Sequence, residues 1–312
     1  MVAATRASER RERLNSPPEG RHRGTAEGDS FSSSFAALGK LAYEGARVSV
    51  NIVDLRSGLT LLSIDDRVVL PTASIGKILL LIEVSARITA RDVAGYGILD
   101  KTPGDAIGRA GLWQQLQAPA LPVADLATLV GATSDNLATN VLLRQIGLDA
   151  VRARTESLGL SRTALLDLVR DQRGPDDAPQ LSVGSTAELT WLFSALSRGQ
   201  VVDHVTSHRV LGWLAQNADL SLVASAFGLD PLSHRSADHG IQLVNKTGTD
   251  AGVRSEVGLL SGPRTSTAYA VTVQFADDVL PARLAVLDAL RIVGYDLLEH
   301  VHQAEFTDTP RA

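Results

Sequence analysis

Ser74-Ile75-Gly76-Lys77 opens the apolar run Ile78-Leu79-Leu80-Leu81-Ile82 and directly follows Pro71-Thr72-Ala73. The run predicts a helix from Ser74 to Arg87. Residues three apart share a helix face, so the Lys77 amine can sit against the Ser74 hydroxyl. A serine hydroxyl is a weak nucleophile until a base takes its proton. A lysine can be that base when its surroundings depress its pKa. A helix start also turns free backbone N–H groups outward, which suits a developing oxyanion. Taken alone, the pattern is common and equally describes a serine cap followed by a surface lysine.

Working outward, the chain before this stretch reads as strand and the chain after it as helix. Val48 to Leu55 alternates polar and apolar residues, Arg56-Ser57-Gly58 is a turn, and Leu59 to Ile64 is a second strand. Together they predict an antiparallel hairpin. Phe31, Phe35, Leu38 and Leu41 recur at helical spacing after a serine-rich start suited to capping. Further helices are predicted at Pro122 to Leu129, Asn136 to Gln145, Asp149 to Leu158, Thr186 to Ser197 and Val205 to Gln216, with Asp171 to Ser185 as a loop. Strands return at Ile241 to Asn245, Arg254 to Leu260 and Ala268 to Phe275, and a long helix runs from Leu280 to Val301. This order implies an α/β (α+β) chain: an antiparallel sheet built from both chain ends and flanked by helices, plus an all-α subdomain. The expected division is an α/β subdomain of residues 31–72 and 217–303 around an all-α subdomain of 73–216. Residues 1–30 are expected to be disordered and 304–312 frayed. A site is expected where the two subdomains meet.

Composition removes several function classes. Thirty Lys and Arg against 35 Asp and Glu leave a net charge of −5, which argues against a bulk nucleic-acid binder. Cysteine is absent, so disulfides, thiol catalysis and thiolate metal sites are excluded. His204 and His208 have metal-ligand spacing but no third ligand near them in sequence, and no metal or cofactor is expected. Gly104, Gly108 and Gly111 are too dispersed for a phosphate loop. Glu83 and Arg87 break the longest apolar stretch well short of the roughly 18 residues a membrane span needs. No apolar h-region follows the first residues, and Arg10-Arg11 lies in a solvated charge run. As written, the chain is expected in the cytoplasm, or in the periplasm or outside the cell if its true start differs. A monomer is expected.

Two further short patterns complete the argument. Ser134-Asp135-Asn136 precedes a helix, where Ser, Asp and Asn all make good caps. It also offers a second hydroxyl to shuttle a proton and an amide to hold substrate and lysine. Lys246-Thr247-Gly248 follows the strand Ile241 to Asn245. Lys246 can hold an anion there, and Gly248 lets a substrate backbone approach closely. Lysine occurs only at 40, 77, 101 and 246. Two of the four fall in these patterns, in a chain that otherwise prefers arginine, which cannot act as a neutral base.

Ser-x-x-Lys, Ser-Asp-Asn and Lys-Thr-Gly in this order resemble the class A serine β-lactamases and the related penicillin-recognising acyl-transferases. The resemblance spans residues 31–303 and implies a β-lactamase/transpeptidase-like fold. It implies Ser74 as acylated nucleophile, Lys77 as base or proton relay and Ser134 as proton shuttle. Asn136 would position substrate, and Lys246 with Thr247 would bind its carboxylate, beside Gly248. Backbone N–H groups of Ser74 and Thr249 would form the oxyanion hole, and Arg254 would help bind the carboxylate. Trp113 would border the substrate.

One element of the family pattern is missing. These enzymes carry a glutamate in the loop after the Ser-Asp-Asn helix, where it activates the water that frees the acyl-enzyme. Here Leu165-Leu166-Asp167-Leu168-Val169-Arg170-Asp171-Gln172 holds no glutamate. Asp167 and Asp171 are the nearest substitutes, each one methylene shorter and each equally placed to pair with Arg170 or Arg173. Three functions follow. The first is a β-lactamase-like hydrolase working through a Ser74 acyl-enzyme. The second is a serine esterase or amidase on the same residues. The third is an acyl-enzyme trap or binding protein with poor deacylation. The partner in each case is a small molecule carrying a carboxylate.

Overall fold

The computed structural model describes residues 31–108, 111–234 and 237–302. The expectations for 1–30 and 304–312 therefore lie outside the described residues. From the N-terminal side come helix α1 (Ser32–Tyr43) and strands β1 (Arg47–Asp54), β2 (Thr60–Ile64) and β3 (Leu70–Pro71). Helix α2 (Lys77–Ala90) and strands β4 (Ile98–Asp100) and β5 (Ala120–Pro122) follow, then α3 (Val123–Thr133), α4 (Asn136–Ile146) and α5 (Leu148–Ser157). Next are β6 (Ala164–Leu165), β7 (Ser182–Gly184), α6 (Thr186–Ser197) and α7 (His204–Leu214). Strands β8 (Gln242–Asp250), β9 (Val253–Ser261) and β10 (Ser266–Gln274) and helix α8 (Leu280–His302) close the chain.

The main sheet has the order β2-β1-β10-β9-β8, antiparallel throughout. Both chain ends build it, as the strand–helix–strand order implies. Period-two alternation sorts its side chains onto two faces. Val50, Leu260 and Val271 join α1 and α8 in one apolar core. Val257, Leu259 and Ala270 join α2 and α6 in the other. The polar positions of β1 also seat α6: Ser49 Oγ lies 2.8 Å from Thr186 Oγ1, and Thr190 Oγ1 donates to the Asn51 carbonyl.

Helix α2 is buried on every side from Lys77 to Ala86, so it runs through the helical layer as its axis. Its one buried acid, Glu83, is paired with Arg87 and Arg154, both at 2.8 Å, as a charge in such a place must be. Among the described residues, no helix is long and apolar enough to cross a membrane.

Four sequence expectations change. The helix read from Ser74 begins as a 3₁₀ turn at Ala73–Gly76 and becomes α-helical only at Lys77. The loop read from Asp171 to Ser185 ends in β7, which pairs with both β3 and β6; strands of two or three residues leave no periodicity to detect. The strand read to Asn245 continues to Asp250, so Lys246, Thr247 and Gly248 lie within β8 rather than after it. The serine-rich start does not cap α1. Asp296 of α8 does so across space, accepting from the Ser34 N–H at 2.9 Å and its hydroxyl at 2.6 Å.

Candidate active site

The turn bearing Ser74 is held in an unusual backbone. Ala73 has φ +50°, a left-handed conformation that an L-residue keeps only when its surroundings enforce it. Ser74 is half-buried, and Lys77 behind it is fully buried. On its open side the turn rests on β8, the edge strand of the main sheet. A side chain at Gly248 would run into the Thr72 carbonyl and come within 3.2 Å of the Ser74 nitrogen. The glycine read as room for a substrate backbone gives room to the Ser74 turn.

Ser134 also sits at positive φ (+56°), closing α3. Asp135 then caps α4 by accepting from Ala138 N–H at 2.9 Å, and its other oxygen takes the Leu112 and Trp113 N–H groups. This places Asn136 and Ser134 over the end of Lys77. Lys77 Nζ donates to the Ser134 carbonyl at 2.5 Å, Asn136 Oδ1 at 2.6 Å and Ser134 Oγ at 3.3 Å. From the opposite side Lys246 Nζ donates to Ser134 Oγ at 3.1 Å and to the Thr247 carbonyl at 2.7 Å. One hydroxyl thus receives two amines. Its two lone pairs are occupied and its own proton is left to give away. The Lys77 amine is thereby hydrogen-bonded at the start of α4.

Burial pushes the Lys77 amine well below its ordinary value, the neighbouring Lys246 charge pushes it further, and Asp135 partly opposes both. The acceptors around Nζ favour the ammonium, while desolvation and Lys246 favour the neutral amine. Lys246 is lowered to about 8 by burial, with Asp219 and Glu256 opposing.

The remaining anticipated residues divide. Thr247 Oγ1 donates to Asp219 Oδ2 at 2.7 Å, and Thr249 is exposed near the end of β8. Arg254 is buried at the β8–β9 turn, where it donates to the Asp250 and Val253 carbonyls at 2.8 Å and pairs with Asp277 at 3.3 Å. Its guanidinium braces that turn and shares Asp277 with Arg283, which approaches the carboxylate at 2.9 Å. Asp167 is also committed: Arg170 Nε approaches it at 2.9 Å and Arg173 at 2.7 Å. Burial alone would raise this carboxyl, but bonds from Arg170, the Leu168 N–H and Arg173 outweigh it and hold the group below its usual range. Asp171 is exposed and accepts the Gly108 N–H at 2.8 Å. Neither carboxylate is presented as a free base. Trp113 is completely buried and donates to the Ala118 carbonyl, so it belongs to the core rather than to the rim.

Several residues escaped the sequence reading. Asn140, one turn beyond Asn136 on α4, clamps the loop after β6: its Nδ2 donates to the Val169 carbonyl at 3.0 Å and its Oδ1 accepts the Val169 N–H at 2.9 Å. Under Lys246, the buried Glu256 accepts from Asn245 Nδ2 at 2.8 Å and the Tyr269 hydroxyl at 2.7 Å. Burial raises that carboxyl to about 7 despite those donors. The Asn in Ser134-Asp135-Asn136-x-x-x-Asn140 was visible as a second amide at helical spacing. Glu256 gave no signal beyond an acid inside an apolar strand.

The chain was compared with known proteins. A family model described as the beta-lactamase enzyme family matches residues 30–301. No curated protein is similar enough to match. Among solved structures, a beta-lactamase from Sphaerobacter thermophilus DSM 20745 superposes with a TM-score of 0.76 at 23% identity, over 88% of this chain and 98% of that one. PBP-A gives 0.70 at 18% identity, over 84% and 94%. A class A beta-lactamase from Mycobacterium abscessus gives 0.68 at 19% identity, over 83% and 97%. At such identities these structures speak for the fold alone. The family match spans almost all of the described residues, and the chain belongs to the beta-lactamase enzyme family.

Proposed function

We propose that this protein is a serine hydrolase that opens the amide of a β-lactam through an acyl-enzyme on Ser74. The observation that carries the reading is the Ser134 hydroxyl, bracketed by Lys77 at 3.3 Å and Lys246 at 3.1 Å beside the Ser74 turn. In the reaction, Ser74 Oγ attacks the carbonyl carbon and its proton passes to the neutral Lys77 amine, directly or by way of Ser134. The carbonyl oxygen gathers negative charge in front of the Ser74 and Thr249 backbone N–H groups. The C–N bond then breaks. The leaving nitrogen takes its proton from Ser134 Oγ, which is reprotonated by the Lys77 ammonium. Water adds to the acyl carbon and releases Ser74. Lys246, still largely cationic at neutral pH, holds the substrate carboxylate with Thr247, while Asn136 holds both Lys77 and substrate.

One observation favours a second reading of the last step. The two carboxylates nearest the family's glutamate position are engaged, Asp167 by two arginines and Asp171 by a backbone N–H. The acyl-enzyme is therefore expected to form readily and to break down slowly. Incubation with a chromogenic cephalosporin and with a p-nitrophenyl ester, followed by intact-mass spectrometry, tests these readings. A burst equal to one acyl group per chain, followed by slow turnover, is expected with the cephalosporin. Fast ester turnover without cephalosporin labelling would move the assignment to an esterase. Unchanged mass with both would remove covalent chemistry.

A further inference from the structure

We propose that Ser182 is a positioning residue for the nucleophile, fixing the strained turn that carries Ser74. This inference rests on the reading of Ser74 as the acylated residue. Ser182 is fully buried on β7 and touches the turn on both sides of Ser74. Its Oγ donates to the Ala73 carbonyl at 2.6 Å and accepts the Gly76 N–H at 3.2 Å. Thr72 Oγ1 lies 2.8 Å from the same oxygen. A serine hydroxyl has one proton and two lone pairs. With its proton given to Ala73, Thr72 must be the donor in that contact, so the full capacity of Ser182 is spent on residues 72, 73 and 76. Its backbone carbonyl also accepts the Thr72 N–H at 3.1 Å.

The steric fit repeats the pattern. A side chain at Gly76 would collide with the Ser182 side chain, so a small residue at each position lets β7 approach the turn. Gly248 does the same from the β8 side. The Ser74 turn is thus gripped between β7 and β8, and the hydroxyl of Ser182 bonds the backbone on either side of Ser74. Ala73, at φ +50°, is the residue whose carbonyl it holds. Ser182 makes no hydrogen bond to Lys77, Ser134 or Lys246 among the described residues. Its effect must pass through the aim of the Ser74 hydroxyl and N–H, where small misplacement has large kinetic consequences.

The test compares acylation of wild type, Ser182→Ala, Ser182→Cys and Thr72→Val by penicillin G, followed by intact mass, with kcat and KM from a chromogenic cephalosporin and melting temperature alongside. Ser182→Ala is expected to acylate about ten- to a hundredfold more slowly with KM changed less than about threefold. Ser182→Cys, a weaker donor of similar shape, should fall between. Thr72→Val leaves the bonds to Ala73 and Gly76 in place and should lose less than Ser182→Ala. Acylation of Ser182→Ala at the wild-type rate would overturn the inference; if that variant does not fold, a wild-type rate in Ser182→Cys would do so. A loss that appears only as raised KM would also overturn it. If the wild-type chain itself takes no label, the Ser74 reading has failed. Amide hydrogen exchange over residues 72–77 then decides the positioning, with faster exchange in Ser182→Ala expected and unchanged exchange fatal.

Discussion

Around Ser134 two lysines share one hydroxyl; in the loop between β6 and β7 two arginines share one carboxylate. Both groups are polar, but they treat the proton differently. Burial drives both Lys77 and Lys246 toward their neutral forms, and the Lys246 charge drives Lys77 further the same way. Arg170 and Arg173 never give theirs up. They hold Asp167 ionised, and an ionised carboxylate engaged by two guanidiniums braces a loop instead of activating water. The first region suits the acyl transfer proposed for Ser74, and the second braces a loop.

The largest expected effect tests the first region. Ser74→Ala should abolish covalent labelling by penicillin G in intact-mass spectra; a label that persists would move the nucleophile elsewhere. Ser134→Ala comes next. It removes the shared hydroxyl and should slow acylation about a hundredfold or more, within the range typical of a lost proton-transfer group. A smaller loss would mean that the two lysines work without it.

The pH dependence sharpens the same contrast. Lys246 is a cation below about 8 and loses its charge above it. Affinity for an anionic substrate should fall as pH rises through that value, approaching tenfold per unit, and Lys246→Met should flatten the profile. Glu256 makes a separate prediction for stability. Its folded carboxyl titrates near 7 rather than at the ordinary 4.5, so the folded state holds a proton that the unfolded state has released. Stability should therefore decline as pH rises from about 4.5 to about 7, by up to ~1.4 kcal/mol per unit. Urea midpoints at pH 5 and pH 8 measure this, and Glu256→Gln should shrink the difference.

The smallest kinetic effect belongs to the second region. Asp167→Asn should change the deacylation rate less than about threefold while lowering stability by about 1–2 kcal/mol, since the arginines it pairs with are partly exposed. A large loss of turnover with intact stability would make Asp167 the missing base and erase the contrast between the two regions.

Much of this was readable from residues alone. Thr186–Ser197 was delimited as observed because Ser185 before it and Gly199 after it are local signals. The three lysine- and serine-bearing segments could be marked as partners, since each needs its residue types at fixed short spacing. Other features left no trace. Asp296 caps α1 from 262 residues away, and β7 is too short for a period. Arg254 was read as substrate-facing from its place after Lys-Thr-Gly. Its partner Asp277 lies 23 residues on, and only the fold brings them together.

By itself the sequence determined the order of strands and helices, the identity of the groups able to carry protons, and the absence of a glutamate from Leu165 to Gln172, because these depend on residue type and local spacing. Tertiary structure decided which groups are free to act. It turned Lys77 toward Ser134, gave the space at Gly248 to the Ser74 turn, and tied Asp167 and Arg254 into ion pairs. Charge, burial and hydrogen-bond capacity are properties of neighbours in space: Lys77 and Ser134 lie 57 residues apart and Arg254 and Asp277 lie 23 apart, while Asp167 draws its arginines from its own loop.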